Sequence, residues 1–185
     1  MMSDPGKTAP LPFRAGGIMQ TPRLAKIGVM TSSDRPGIAS TVLGALSHSQ
    51  INVEFIVETA DIENRSHLVL CVNEHDLSGA LAAIESVRAA ILAEKIVFQR
   101  HVAMIAVYGP HFRDHPGIAR LVFAALAASG INILAISTSI STVACLVEDE
   151  AVNEAVEALR KAFDVPETAI FTPGGGLSRR TRPGE

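Results

Sequence analysis

Two stretches of this chain carry residue types that could hold a small molecule. Asp34-Arg35-Pro36-Gly37-Ile38-Ala39 and Asp114-His115-Pro116-Gly117-Ile118-Ala119 each set a carboxylate and a Pro-Gly turn ahead of a run with helical spacing. A helix N-terminus presents amides with no intrahelical partner and a partial positive charge, a seat for a carboxylate. Gly37 and Gly117 lack a Cβ, so a ligand can approach the backbone closely. The same Pro-Gly pairs also serve as plain turn chemistry with no ligand, and Asn52 and Asn132 as residues bonding the turn beside them. Both readings stay open at this level.

These stretches belong to a longer repeat. Residues 34–56 return 80 positions later as 114–136, with 12 identities in 23 aligned positions. Each copy ends on an Ile-Asn-aliphatic phrase, Ile51-Asn52-Val53 and Ile131-Asn132-Ile133. An internal repeat this close sets the architecture as two similar units.

The elements that would position these residues follow from periodicity. Residues 24–31 are mostly apolar and read as a strand; Ile38, Val42, Ala45 and Leu46 then recur on one helical face. Residues 51–59 and 66–72 read as strands joined by a turn at 61–65, and Asp76 as the N-cap of a helix over 77–90. A short strand at 96–99 closes the unit. The second unit repeats the order: strand 102–108, helix 117–129, strands 131–139 and 142–147, helix 149–162, strand 168–171. Each unit is β-α-β-β-α-β, the ferredoxin-like α+β pattern with helices on one face of an antiparallel sheet. A unit of about 70 residues has a thin core and open sheet edges, so two units paired side by side, and a dimer beyond that, are expected.

Composition narrows the function class. The chain has 185 residues, 48% of them apolar, and a formal net charge of −3. That charge gives no basic field for nucleic acid, and aromatics at 4% leave little for base stacking. No apolar run reaches the ~18 residues of a membrane span, and residues 1–17 show no secretory h-region. Cys71 and Cys145 sit in apolar runs and read as buried free thiols of a reducing, cytoplasmic compartment. His111 and His115 straddle a loop without a ligand cluster around them, so no metal or other cofactor is expected. No Ser-His-Asp or Cys-His grouping and no phosphate-cradling loop is legible, so no catalytic residue is expected.

The phrase Asp-x-Pro-Gly-Ile-Ala, a helix and Ile-Asn-Ile in a ferredoxin-like unit resembles the ACT domain, an amino-acid-binding regulatory module. His115-Pro-Gly-Ile-Ala119, Gly130-Ile-Asn-Ile133 and Ile136-Ser-Thr-Ser139 are similar to the second ACT unit of the aspartokinase regulatory region. Asp34-Arg-Pro-Gly37 and Ile51-Asn-Val53 are similar to its first, and Gly17-Ile-Met-Gln20 to the strand leading into it. The resemblance implies a non-catalytic protein without a kinase domain, binding threonine or lysine and controlling aspartokinase or another amino-acid biosynthesis enzyme. It implies units at 16–100 and 101–172, flanked by a flexible segment 1–15 and a disordered tail 173–185. The motifs carry over two effector sites at interfaces between ACT units. One combines Asp34, Arg35, Pro36, Gly37, Ile38 and Ala39 with Glu58, Asn132 and Ile133. The other combines Asp114, His115, Pro116, Gly117, Ile118 and Ala119 with Asn52 and Val53.

The chain departs from the family pattern at three places. Glu58 stands where the family has glutamine, which disfavours an effector's carboxylate and favours a cationic side chain, or leaves an empty scaffold. The family's hairpin Asp-Gly-Thr-Thr-Asp is Glu63-Asn-Arg-Ser-His67, and a glutamate after the second unit's Ser-Thr-Ser is Ile140.

Overall fold

The computed structural model describes residues 13–110, 112–166 and 169–172. Two strands much longer than expected organise it: β2, Gly17–Thr31, and β5, Ala93–Tyr108. They pair antiparallel along their length, from Gly17 opposite Tyr108 to Thr31 opposite Ala93. The separate strands expected at 96–99 and 102–108 are therefore one strand, and the leading strand at 17–20 is continuous with the strand expected at 24–31.

Each long strand serves both units. The C-terminal half of β2 and the N-terminal half of β5 belong to the first unit, with β3 (Phe55–Ala60) and β4 (Ser66–Asn73). The other halves belong to the second unit, with β6 (Ala135–Thr138) and β7 (Thr142–Glu148). The sheet order is β3-β4-β2-β5-β7-β6, and β9 (Ile170–Phe171) runs parallel to the start of β2. The last strand thus pairs outside the N-terminal one, which occupies the position a fourth strand of unit two would take. The pair bends between the units, where Pro22 offers no N–H and Arg23 and His101 adopt left-handed backbones. The register slips there, and the freed Arg23 amide donates to Asp149 Oδ1 at 2.9 Å.

Helices α1 (Ile38–His48), α2 (Leu77–Ser86) and α3 (Arg88–Ile91) cover the first half-sheet; α4 (Ile118–Ala128) and α5 (Val152–Ala162) cover the second. The period-2 alternation of the strands divides the core. Ile27, Val29, Leu68 and Leu70 face α1 and α2 in one cluster, and Ile105, Val107, Val143 and Cys145 face α4 and α5 in another. The opposite parity, Leu24, Cys71, Met104, Ala106 and Leu146 with Phe55, forms a third cluster on the helix-free face. The sheet curls enough for its two edge strands, β3 and β6, to touch, although no ladder bonds join them.

Several boundaries move. β3 begins at Phe55 and β6 at Ala135, so Asn52 and Asn132 lie in the extended approach, not in strands. Asp76 does not cap α2: it ends a 3-10 turn, Glu74–Asp76, and its carboxylate meets His75 instead. The helix expected over 77–90 breaks at Val87. In the segment expected to be flexible, Phe13 and Arg14 form β1, a parallel ribbon with β8 (Phe163–Asp164). Residues 1–12, the tail 173–185 and Thr168 lie outside the described residues.

Candidate functional site

The loop from Asp34 to Ser40 lines one side of a cavity of about 420 Å³, and Glu58, in the second half of β3, stands on the other. Gly37 takes φ +105°, the left-handed conformation that glycine adopts without strain, and turns the chain directly into α1. No side chain caps that helix; Ser40 Oγ and the Thr41 amide both donate to the Gly37 carbonyl, at 3.0 and 2.9 Å. The first-turn amides of α1 thus have no side-chain cap.

The neighbouring hairpin fixes this loop. The Asp34 amide donates to the Asn64 carbonyl at 2.6 Å, and Asn64 holds a left-handed backbone at φ 59°. The hairpin is organised by Asp61, which accepts from the amides of Glu63 and Arg65, from Arg65 Nε and from His67 Nε2. Chiefly the Arg65 amide, then His67, hold the Asp61 carboxyl far below the usual carboxylate range. Glu58 is anchored too: the Ser66 hydroxyl, wholly buried, donates to its Oε1 at 2.7 Å. Arg35 also lines the cavity, and its guanidinium donates to the Ala90 carbonyl.

The second pocket, about 270 Å³, is built alike around Gly117 at φ +95° and an uncapped α4. His115, Ile118 and Ala119 line it with Phe112 and Arg113; Thr138, Ser139, Ile140 and Val143 form the far wall. His115 also packs edge-on against Phe13, ring centres 5.3 Å apart. Asp114 and Pro116 shape the turn without lining the pocket.

Within one chain the expected half-sites do not share a pocket. Asn132, exposed, and Ile133, packed on the second core, are not in the wall of the Asp34 cavity. Asn52 and Val53 line a separate surface pocket with Gln50, Leu43 and Ser47. Sequence reasoning missed Asn64 and Ser66 as the residues that hold Asp34 and Glu58. Thr138 and Ser139, part of the family-like phrase Ile136-Ser-Thr-Ser139, both line the second pocket. Cys71 and Cys145 are free and buried, and burial pushes both thiols up to about 12. Among the described residues no His, Cys, Asp and Glu group could hold a metal; His111 lies outside them.

Models of the ACT-domain family match residues 27–89 and 105–163. This is a tandem ACT-domain protein. The regulatory subunit of aspartate kinase from Thermus thermophilus, solved ligand-free, superposes with a TM-score of 0.72 at 28% identity, over 80% of this chain and 98% of that one. A chain from a structure of aspartokinase alpha and beta subunits gives 0.73 at 30% identity, over 81% and 99%. An aspartate kinase of Pseudomonas putida is 33% identical over 76% of this chain, which spans 34% of that relative's length. The kinship is with the regulatory part of aspartokinase and supports an allosteric role carried by the ACT units. No helix among the described residues is long and apolar enough to cross a membrane.

Proposed function

We propose that this tandem ACT protein is a non-catalytic, cytoplasmic regulator. It binds a free amino acid, threonine or lysine, and controls an amino-acid biosynthesis enzyme such as aspartokinase. The observation that carries this reading is the Asp34–Ser40 cavity. Helix amides suited to a carboxylate and a carboxylate suited to an ammonium converge on a space large enough for one amino acid.

A second copy of the chain supplies the missing halves. β3 and β6 are the two edge strands of the sheet; they touch each other but share no ladder bonds, so each keeps backbone groups that a partner strand could pair. β3 runs towards the Asp34 cavity, where Glu58 lies near its end. An antiparallel β6 from a partner would begin beside that end and bring the partner's Asn132 and Ile133 to the cavity. Two-fold symmetry repeats the pairing at β6, whose last residue, Thr138, lines the second pocket. There the partner's Asn52 and Val53 would arrive.

A thermal-shift panel of the twenty amino acids at millimolar concentration, with sedimentation to read the assembly state, tests both parts. A ligand at about 100 times its dissociation constant stabilises by roughly 2.7 kcal/mol, a shift of several degrees for a chain of this size. A response to one or two amino acids by a dimer is expected. A flat panel supports a scaffold that has lost its ligand, and a monomer that binds removes the shared site.

A further inference from the structure

We propose that the first half of β5 is an interface through which two copies of this chain pair, strand against strand, with Val97 opposite Val97 of the partner subunit. This edge is separate from the β3 and β6 edges considered above, and it needs no ligand.

The chain leaves this edge open. β5 pairs with β2 along its length on one side, but on the other side β7 covers only Val102–Tyr108. Arg88 Nη1 donates to the Ala93 and Glu94 carbonyls at 3.0 and 3.3 Å and closes the start of the strand. Gln99 meets Glu148 through its side chain, at 2.8 Å. Among the described residues, no strand pairs with the outer side of Lys95–Gln99. The sister unit treats the same edge differently. Within the long strands the repeat offset is 78, which sets left-handed His101 on left-handed Arg23, and Ile96 and Val97 on Ile18 and Met19. The outer side of Ile18 and Met19 is covered by β9. Phe98 stands where that unit has Gln20, and its ring is 54% exposed. An open edge beside an exposed aromatic ring is a template for another strand.

The residues of the edge select its occupant. Two-fold antiparallel pairing about Val97 sets Ile96 against the partner's Phe98 and Lys95 against the partner's Gln99, each twice. Ile96 and Phe98 lie opposite Val29 and Ile27 in the ladder and share the helix-side face with them, so both cross-strand apolar pairs fall on one face. At the ends, Glu94 meets the partner's Arg100. Arg100 Nη1 already bonds Glu74 at 3.3 Å and Glu94 already lies in the field of Arg65, so this charge match is the lesser part. Other registers fit worse. Centring on Lys95 opposes two lysines, centring on Ile96 sets Glu94 against Phe98, and centring on Phe98 sets Ile96 against Arg100. A second copy therefore brings apolar residues to the places where this edge offers them.

Disulfide trapping in the full chain reads the register. Opposite residues of an antiparallel pair have Cα atoms about 4.5–5.5 Å apart, within disulfide reach. Residues 95 of the two copies would lie roughly 14 Å apart along the strands. Cys71 and Cys145 are buried, so an introduced thiol is the accessible one. In mildly oxidising buffer V97C is expected to form a disulfide-linked dimer about tenfold faster than K95C, whose thiols are out of reach. F98K sets a charge against the partner's Ile96. It should keep its thermal midpoint and halve the sedimenting mass of the unaltered chain at equal concentration, whether or not the β3 and β6 edges also pair. V97C linking no faster than K95C overturns the inference, and so does a folded F98K with the mass of the unaltered chain. Either result would leave the amino-acid reading standing, because no pocket residue is altered.

Discussion

The pocket at Asp34–Ser40 and the pocket at Phe112–Ala119 open on the same backbone device, a left-handed glycine leading into an uncapped helix, but their far walls differ. The first ends on an anchored carboxylate and is steadied by a five-residue hairpin wired through Asp61. The second ends on hydroxyls and Ile140, where a tight turn joins β6 to β7 with the Ser139 amide donating to the Thr142 carbonyl. Duplication preserved what the backbone needs and let the chemistry of the walls diverge. Under the proposed amino-acid reading, selectivity would reside on the β-hairpin side of each pocket, and affinity for a common α-carboxylate on the helix side.

The largest effect should come from testing whether the two units are separable at all. Leu46 in α1 and Leu126 in α4 are repeat equivalents, each essentially fully buried in its own cluster. Truncating either to alanine should cost about 2–5 kcal/mol. Because β2 and β5 run through both units, L46A and L126A should each lower one shared calorimetric transition. Two transitions, with only one displaced by each variant, would show that the bend at Arg23 and His101 uncouples the halves.

Next in size is a contrast within β2. A Cβ on Gly17 would sit 2.5 Å from the Ala169 carbonyl oxygen and 2.6 Å from the Tyr108 hydroxyl, both tied to the strand β9 that lies alongside. A Cβ on Gly28 would meet only Val97 Cγ2, at 3.1 Å. Gly17→Ala should therefore cost about 1–3 kcal/mol, as overpacking does, and should loosen the C-terminal strand. Gly28→Ala should cost less. Urea midpoints measure both, and equal costs would mean that β9 yields freely.

The paired glycines give a smaller, symmetrical effect. Gly37 and Gly117 face open space, so alanine there meets no atom closely and suffers only the left-handed backbone, about 1–2 kcal/mol. Both G37A and G117A should lose that amount, and asparagine, which tolerates this conformation better, should restore part of it. In ligand titrations each should weaken binding at its own pocket alone.

These contrasts also mark how far the sequence could be read. The Pro-Gly turns, the helix faces and the strand alternation were legible because local sterics and burial period dictate them, and Gly37 and Gly117 take the conformations their motif implies. The fusion of strands at 93–108 was not, since Arg100 and His101 are polar and interrupt the apolar run where the chain crosses between cores. The N-cap assigned to Asp76 fails because the chain enters α2 through a 3-10 turn that already directs those amides. The roles of Asn64 and Ser66 depend on contacts made across 30 and 8 residues, beyond the reach of a local pattern.

The smallest contrast is between the two hairpins in acid. Asp61 is the carboxylate that organises the first, and its carboxyl is held far below the usual range by the Arg65 amide and His67. A carboxyl whose folded pKa is depressed stabilises the fold above its unfolded value, about 3.9. That contribution is lost as pH falls below about 4 towards the folded value. The unaltered chain should therefore lose stability more steeply between pH 5 and pH 3, on the order of those bounds, than D61N does. Asn at 61 removes the titrating group while keeping an acceptor for the Arg65 amide. Thermal midpoints across that range read the difference in slope. In the folded chain Asp61 stays ionised over that interval, so its hold on the hairpin, and through Asn64 on the Asp34 amide, persists. The acid response is therefore one of stability and not of the loop's setting, and the first pocket should bind alike at the two ends of the interval as far as this hairpin is concerned. If the slopes of D61N and the unaltered chain coincide, the acid response lies outside the Asp61 hairpin, and the divergence between the two walls does not extend to how they are held.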